Sequence, residues 1–167
     1  MDKYIDGVPR VSLRRGKNIA DLVVNAKSKG EEGGSGPCGS NCKLCKFMVE
    51  TKEVKDKRGE TRKIKSKVDC RTVGAIYGIW CRKCEKVIYV GKTQNRVMDR
   101  FIGHRADLRG EDRSKPAYHF RKESHTEEDM GVVVIEEVKG KDDLYRVTRE
   151  RHWINSLGTY NEENKRK

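Results

Sequence analysis

Apolar and polar positions are patterned most clearly in the second half of the chain. GAIYGIW (Gly74–Trp80) and KVIYVG (Lys86–Gly91) read as strands, and the short CRKCE joint between them predicts a hairpin. The period then lengthens in QNRVMDRFIGHRADL. Val97, Phe101 and Leu108 fall on one stripe with Met98 and Ile102 beside it, an amphipathic helix that Thr93 is placed to cap. GVVVIEEV (Gly131–Val138) is a third strand. Asp142 or Asp143 opens a last helix through LYRVTRERHWINSL, with Gly158 as its stop. The order is β-β-α-β-α.

Upstream the signal is weaker. Ile19, Leu22 and Val23 have helical spacing, and GEEGGSGP reads as a flexible linker. Phe47–Val54 and Thr61–Val68 read as two strands around a turn at Asp56–Glu60. Such a hairpin has little to bury, so a bound ion is expected to supply much of its stability. The expected division is a basic arm and linker (1–36), a cysteine-rich zinc-binding segment (37–72) and a catalytic domain (73–167). The expected fold is α+β: a small mixed sheet with antiparallel pairs, flanked by helices, with a zinc-stabilised N-terminal extension. No apolar run approaches the ~18 residues of a membrane span, and MDKYIDGVPR lacks the apolar stretch of a secretion signal. The expectation is an intracellular protein without a membrane partner.

Composition narrows the partners. Only 34% of residues are hydrophobic against 38% charged, with a mean hydropathy of −0.91, which excludes a single large apolar core. The net charge of +12 favours polyanions such as nucleic acid, and most of the excess lies in residues 1–72. Arg10, Arg14, Arg15 and Lys17, without interleaved aromatics, suit phosphate contacts that read little sequence; a solvated charged linker is the plainer reading. Lys92 and Arg96 are further candidate contacts to nucleic acid. Spacings such as Cys42-x2-Cys45 and Cys81-x2-Cys84, with no export signal, point the six cysteines toward metal rather than disulfides.

Five other side chains carry candidate chemistry. Tyr77 and Tyr89, on the two hairpin strands, are each ordinary core residues when taken alone. Arg100 and His104 lie one helical turn apart on a polar face, a guanidinium to grip phosphate beside an imidazole to move a proton, although on spacing alone a solvated basic helix is the plainer reading. Glu150, flanked by Val147 and Ile154, is placed near the core margin. There it is either an ion-pair partner of Arg149 or Arg151, or the single carboxylate that binds Mg²⁺.

In this order — AIY (Ala75–Tyr77), YVGKT (Tyr89–Thr93), Arg100, His104, then Glu150 before HWI — the segment from residue 73 to about 164 resembles the GIY-YIG nuclease domain. Ala75 stands where the motif has glycine. The Cys81-x2-Cys84 pair, the HF(x)4H run ending at His125 and the upstream CxxxCxxC at Cys38, Cys42 and Cys45 are similar to the endonuclease region of Penelope-like retroelements. The resemblance implies that Tyr77 is the general base or positions the attacking water, and that Tyr89 contacts the scissile phosphate. It implies that Arg100 steadies the developing charge, His104 assists a tyrosine or the leaving group, and Glu150 binds Mg²⁺ or Mn²⁺. It also implies a bracing asparagine, Asn164 with Asn161 as a rival. With His104 kept for chemistry, Cys81, Cys84, His119 and His125 make one zinc site, which is where these endonucleases carry paired Cys and His. Cys38, Cys42, Cys45 and Cys70 make a second, with Cys38 or Cys70 open to exchange for a histidine. The function expected is a Mg²⁺-dependent DNA endonuclease nicking one strand; an inactive zinc-bearing nucleic-acid-binding module is the alternative. A nuclear location, a reverse transcriptase in the parent protein, and a monomer or weak dimer complete the expectation.

Overall fold

A computed structural model of the chain describes residues 33–40, 42–110, 114–121 and 124–159, all within one compact unit. Arg10, Arg14, Arg15, Lys17, Asn161 and Asn164 lie outside the described residues. The centre is a three-stranded antiparallel sheet of β5 (Val73–Cys81), β6 (Lys86–Arg96) and β7 (Met130–Glu137), in the order β6-β5-β7. Tyr77 pairs with Gly91 on one side and Val134 on the other. Strand alternation sends Tyr77 and Ile79 to one face and Ile76, Gly78 and Trp80 to the opposite one. Helix α1 (Val97–Arg109) covers the Tyr77 face. A one-turn helix, α2 (Lys115–Phe120), packs against α1 within the stretch expected only to be polar. Helix α3 (Asp143–Leu157) covers the other face. Its N-cap, Asp142, accepts the Tyr145 N–H at 2.6 Å, and it stops at Gly158 with φ 66°. No helix of the described residues is long and apolar enough to cross a membrane.

Ala75, the departure from the motif name, lies fully buried in β5 between Thr93 and Glu137. Its φ is not positive, so a Cβ there costs no backbone freedom.

Three local expectations change. First, Thr93 does not cap α1. β6 runs on to Arg96, which stands at the N-cap without a side-chain bond, while Thr93 is buried in the strand and its Oγ1 accepts from the Asn95 N–H at 3.1 Å. Second, His104 is not on a polar face but 2% exposed. Positions 97, 101, 104 and 108 follow the i, i+4, i+7 spacing of a buried stripe, and the imidazole fills the step between Phe101 and Leu108.

Third, the upstream segment is knit into the sheet instead of forming a long hairpin beyond a flexible linker. Gly34–Gly36, part of the expected linker, is β1 and pairs in parallel with β4 (Lys67–Asp69). Only β2 (Glu53–Lys55) and β3 (Thr61–Lys63) form the hairpin, around the expected turn, in which Asp56 Oδ1 accepts from the Arg58 and Glu60 N–H groups. Phe47 ends a 3-10 turn and is buried, because the cysteine-bearing turn bends the chain toward the core. Ser35 Oγ accepts the Val134 N–H at 3.0 Å, and the Val49 N–H donates to Val132 at 2.9 Å. Val54, Ile64 and Val68 enter the common core, so the segment buries more than its polar composition promised.

Candidate active site and metal centres

Tyr77 is fully buried between the sheet and α1. Its hydroxyl lies 2.8 Å from His104 Nε2 and accepts from Arg100 Nε at 3.3 Å. The hydroxyl oxygen keeps a second lone pair, so it donates to Nε2 or accepts from it according to the His104 tautomer. His104 Nδ1 lies 3.9 Å from Asp107 Oδ2, Coulombic range rather than a hydrogen bond. The Tyr89 ring is half-buried, 6.5 Å from the Tyr77 ring and 5.3 Å from that of His104. Arg100 itself is exposed at the rim of this cluster.

Gly91 provides the room. A Cβ there would come within 2.7 Å of the Tyr77 hydroxyl and 2.8 Å of Tyr89 Cε1, in a layer closed by α1, so both phenols rest on bare backbone.

Glu150 reaches this group from α3. Its Oε1 accepts the backbone N–H of Lys92 at 3.1 Å, on β6 at the edge of the sheet. Burial raises its pKa, opposed by Lys92, and among the described residues no cation makes an ion pair with it. The Lys92 ammonium pairs instead with Asp143 at 2.9 Å, and Arg149 is taken by Glu136 at 2.6 Å, where the Trp153 indole N–H also donates. These bonds leave the Glu150 carboxylate half-buried, with the Lys92 N–H as its donor and no ion-pair partner among the described residues. A desolvated carboxylate without an ion-pair partner is the setting a divalent cation fits.

Burial pushes the pKa of Tyr77 well above the phenol range, with the Tyr89 and Glu150 charges adding and Arg100 opposing. Burial raises Tyr89 too, Glu150 again adding. Both phenols feel the Glu150 charge. Tyr77, Arg100 and His104 meet at one hydroxyl with the Tyr89 ring against them, and Glu150 is held at Lys92, the residue after Gly91. Arg96 is exposed and pairs with Asp99 at 3.1 Å, one turn before Arg100.

Cys38, Cys42, Cys45 and Cys70 form one group, and Cys81, Cys84, His119 and His125 another, the ligand atoms of each within 4.8 Å of one another. In the first, sulfur–sulfur distances run from 3.4 to 3.8 Å. All six cysteines are free, and a tetrahedron of thiolates about Zn²⁺ has edges of ~3.8 Å. In the second, Cys84 Sγ lies 3.7 Å from His119 Nε2 and 3.2 Å from His125 Nε2. That group joins the β5–β6 turn to α2. Both quartets fit zinc.

Sequence reasoning missed Gly91, the Lys92 N–H, Asp107 and Glu136. Gly91 had a signal, a glycine opposite a large aromatic in a hairpin. The others depend on which strand edge and which helix meet.

A family model, the GIY-YIG catalytic domain, matches residues 73–164, more than half of the chain. No curated protein and no solved structure matches it.

Proposed function

The chain belongs to the GIY-YIG catalytic domain family, and from that premise we propose that it is a metal-dependent DNA endonuclease that nicks one strand. The observation that carries this reading is the convergence of Tyr77, Arg100 and His104 on one hydroxyl, with the Glu150 carboxylate held at Lys92, next to the Gly91 on which both phenols rest.

Glu150 would hold Mg²⁺ or Mn²⁺, which when bound supplies charge stabilisation at the departing oxygen. The other steps belong to the chain's own side chains. At pH ~7 an ordinary phenol is ~0.1% ionised and burial works against ionisation here, so Tyr77 is read as a neutral phenol. Tyr77 instead takes the proton of the attacking water as it passes its own to His104 Nε2. Asp107 favours the imidazolium that forms. Arg100 faces the phosphoryl oxygens as their charge grows, and Tyr89 orients the phosphate. Lys92 and Arg96 contact the DNA backbone; the exposed Arg96–Asp99 pair is worth only about 0–1 kcal/mol and is readily exchanged for phosphate. Arg10, Arg14, Arg15 and Lys17 extend that contact, and Asn164 or Asn161 braces the site.

Both Cys/His quartets bind structural Zn²⁺ in this reading. Such a site supplies about 10–16 kcal/mol, comparable to a whole domain's stability of about 5–15 kcal/mol. The retroelement reading rests on the paired Cys and His motifs. It carries with it a nuclear location, a reverse transcriptase in the parent protein, a monomeric or weakly dimeric state, and the division into arm (1–36), zinc segment (37–72) and nuclease (73–167).

The test is supercoiled plasmid with the full chain. Nicked circles are expected with Mg²⁺ or Mn²⁺ and none with EDTA; binding without cleavage under any divalent ion overturns the nuclease assignment in favour of a binding module. Gly91→Ala is expected to keep the fold by circular dichroism yet lower nicking about 100-fold, since a displacement of ~1 Å at the reacting groups has that cost. Wild-type nicking by Gly91→Ala would show that the phenols need no such clearance.

A further inference from the structure

The four-cysteine group touches α1, the helix that carries Arg100 and His104, from two directions. The first N–H groups of a helix have no partner within it, and Arg96 at the N-cap supplies none from its side chain. The Val97 N–H donates to Thr72 at 3.0 Å, extending the β5–β6 pairing. The Met98 N–H donates at 3.0 Å to the carbonyl of Cys70, a member of the quartet. Cys70 is 1% exposed, with its sulfur 3.4 Å from that of Cys42. Sulfur and carbonyl belong to one residue, so the place of the first governs the second. The turn from Asp69 to Thr72 is closed by its own bonds, Asp69 N–H to Thr72 Oγ1 at 2.9 Å and Arg71 N–H to Asp69 Oδ1 at 2.8 Å.

The second contact leaves the other side of the quartet. The turn Cys45–Phe47 begins at one sulfur ligand and ends at a ring 5.4 Å from that of Phe101. The Arg105 guanidinium also lies over the Phe47 ring, at 4.4 Å. Phe101 follows Arg100 directly and stands one turn before His104, and both Phe101 and His104 are buried.

We propose that the Cys38, Cys42, Cys45 and Cys70 site is a positioning device for the catalytic helix: its occupancy by zinc holds the Cys70 carbonyl and the Phe47 ring against α1, and so holds Arg100 and His104 at Tyr77. The proposal rests on the nuclease reading only in calling α1 catalytic. A zinc ion bound to all four sulfurs fixes them to one point, which contacts between thiols do not. Without the ion the two contacts move apart and α1 loses its seat. Cys70 and Phe47 are then positioning residues, acting through Arg100 and His104 rather than on the phosphate.

Cys38 makes neither contact to α1, which makes Cys38→Ser the informative variant, with Cys45→Ser as a second. Zinc content, amide hydrogen exchange, and kcat and KM for plasmid nicking are measured on the full chain. One ion fewer is expected. Exchange protection should fall at Val97 and Met98 while β5–β7 stay protected, and kcat should drop about 100-fold with KM little changed. Wild-type kcat and protection after loss of the ion overturn the proposal. So does loss of protection throughout β5–β7, which would make the site a general staple, and so does a drop carried by KM alone. A chain that takes up no zinc at these cysteines also refutes it. Glu150→Gln keeps both quartets and should keep the protection at Val97 and Met98 whether or not the wild type cleaves DNA, so the exchange result stands apart from the nuclease reading.

Discussion

Glu150→Gln is expected to lower plasmid nicking by about 1,000-fold or more while making the zinc-loaded, Mg²⁺-free protein more stable at neutral pH. The substitution keeps an oxygen for the Lys92 N–H and removes only the charge. Loss of a metal-held transition-state interaction is worth several kcal/mol, and each ~1.4 kcal/mol is a factor of ten in rate. The stability gain follows from the direction of the pKa shift. Burial raises the Glu150 pKa in the folded state, so the native protein holds that proton more tightly than the unfolded chain. Its contribution is full below the unfolded value of ~4.3 and is lost as pH rises through the folded value. Glutamine suffers no such loss. Denaturant melts without Mg²⁺ should therefore coincide near pH ~4 and separate by pH ~7 in favour of Glu150→Gln, and Mg²⁺ should raise the wild type alone. Wild-type nicking by the variant would remove Glu150 from the site; melts that coincide at both pH values would mean the carboxylate carries no desolvation cost.

Tyr77→Phe is expected to reduce nicking by about 100- to 10,000-fold, the range for removing a positioned acid–base group. The ring still fills the space over Gly91, so circular dichroism and melting should change little beyond the loss of the hydroxyl's two hydrogen bonds, each of about 1 kcal/mol. Because the phenol and the imidazole move one proton between them, His104→Gln should show a similar loss, and the double variant should be no worse than either single one. Additive losses would mean that Tyr77 and His104 act separately, and undiminished cleavage by Tyr77→Phe would exclude the phenol from proton transfer.

The sheet and the two long helices were legible because their cues are local. The short apolar runs of β5 and β7, the Asp142 cap and the Gly158 stop depend on neighbours a few residues away. Residues 34–55 were not legible in the same way. β1 is a three-residue strand of glycine and serine, whose partner lies more than thirty residues on and whose serine bonds to β7. No propensity marks such a strand; only the edge it pairs with does. Phe47 looked like the start of a strand because its burial comes from Phe101, beyond the reach of any local period.

The candidate site divides along the same line. The resemblance of the ordered motifs to a known family selected Tyr77, Tyr89, Arg100, His104 and Glu150, and ligand type and number suggested two quartets that the grouped ligand atoms match. Those properties are intrinsic to the side chains and survive in an unfolded chain. The tertiary structure alone decided that His104 is buried and hydrogen-bonds Tyr77, that the edge N–H of Lys92 holds Glu150, and that Cys70 meets α1. Each is a contact between elements distant in sequence, where desolvation and the direction of one N–H or O–H bond set the chemistry, and neither exists before the elements pack.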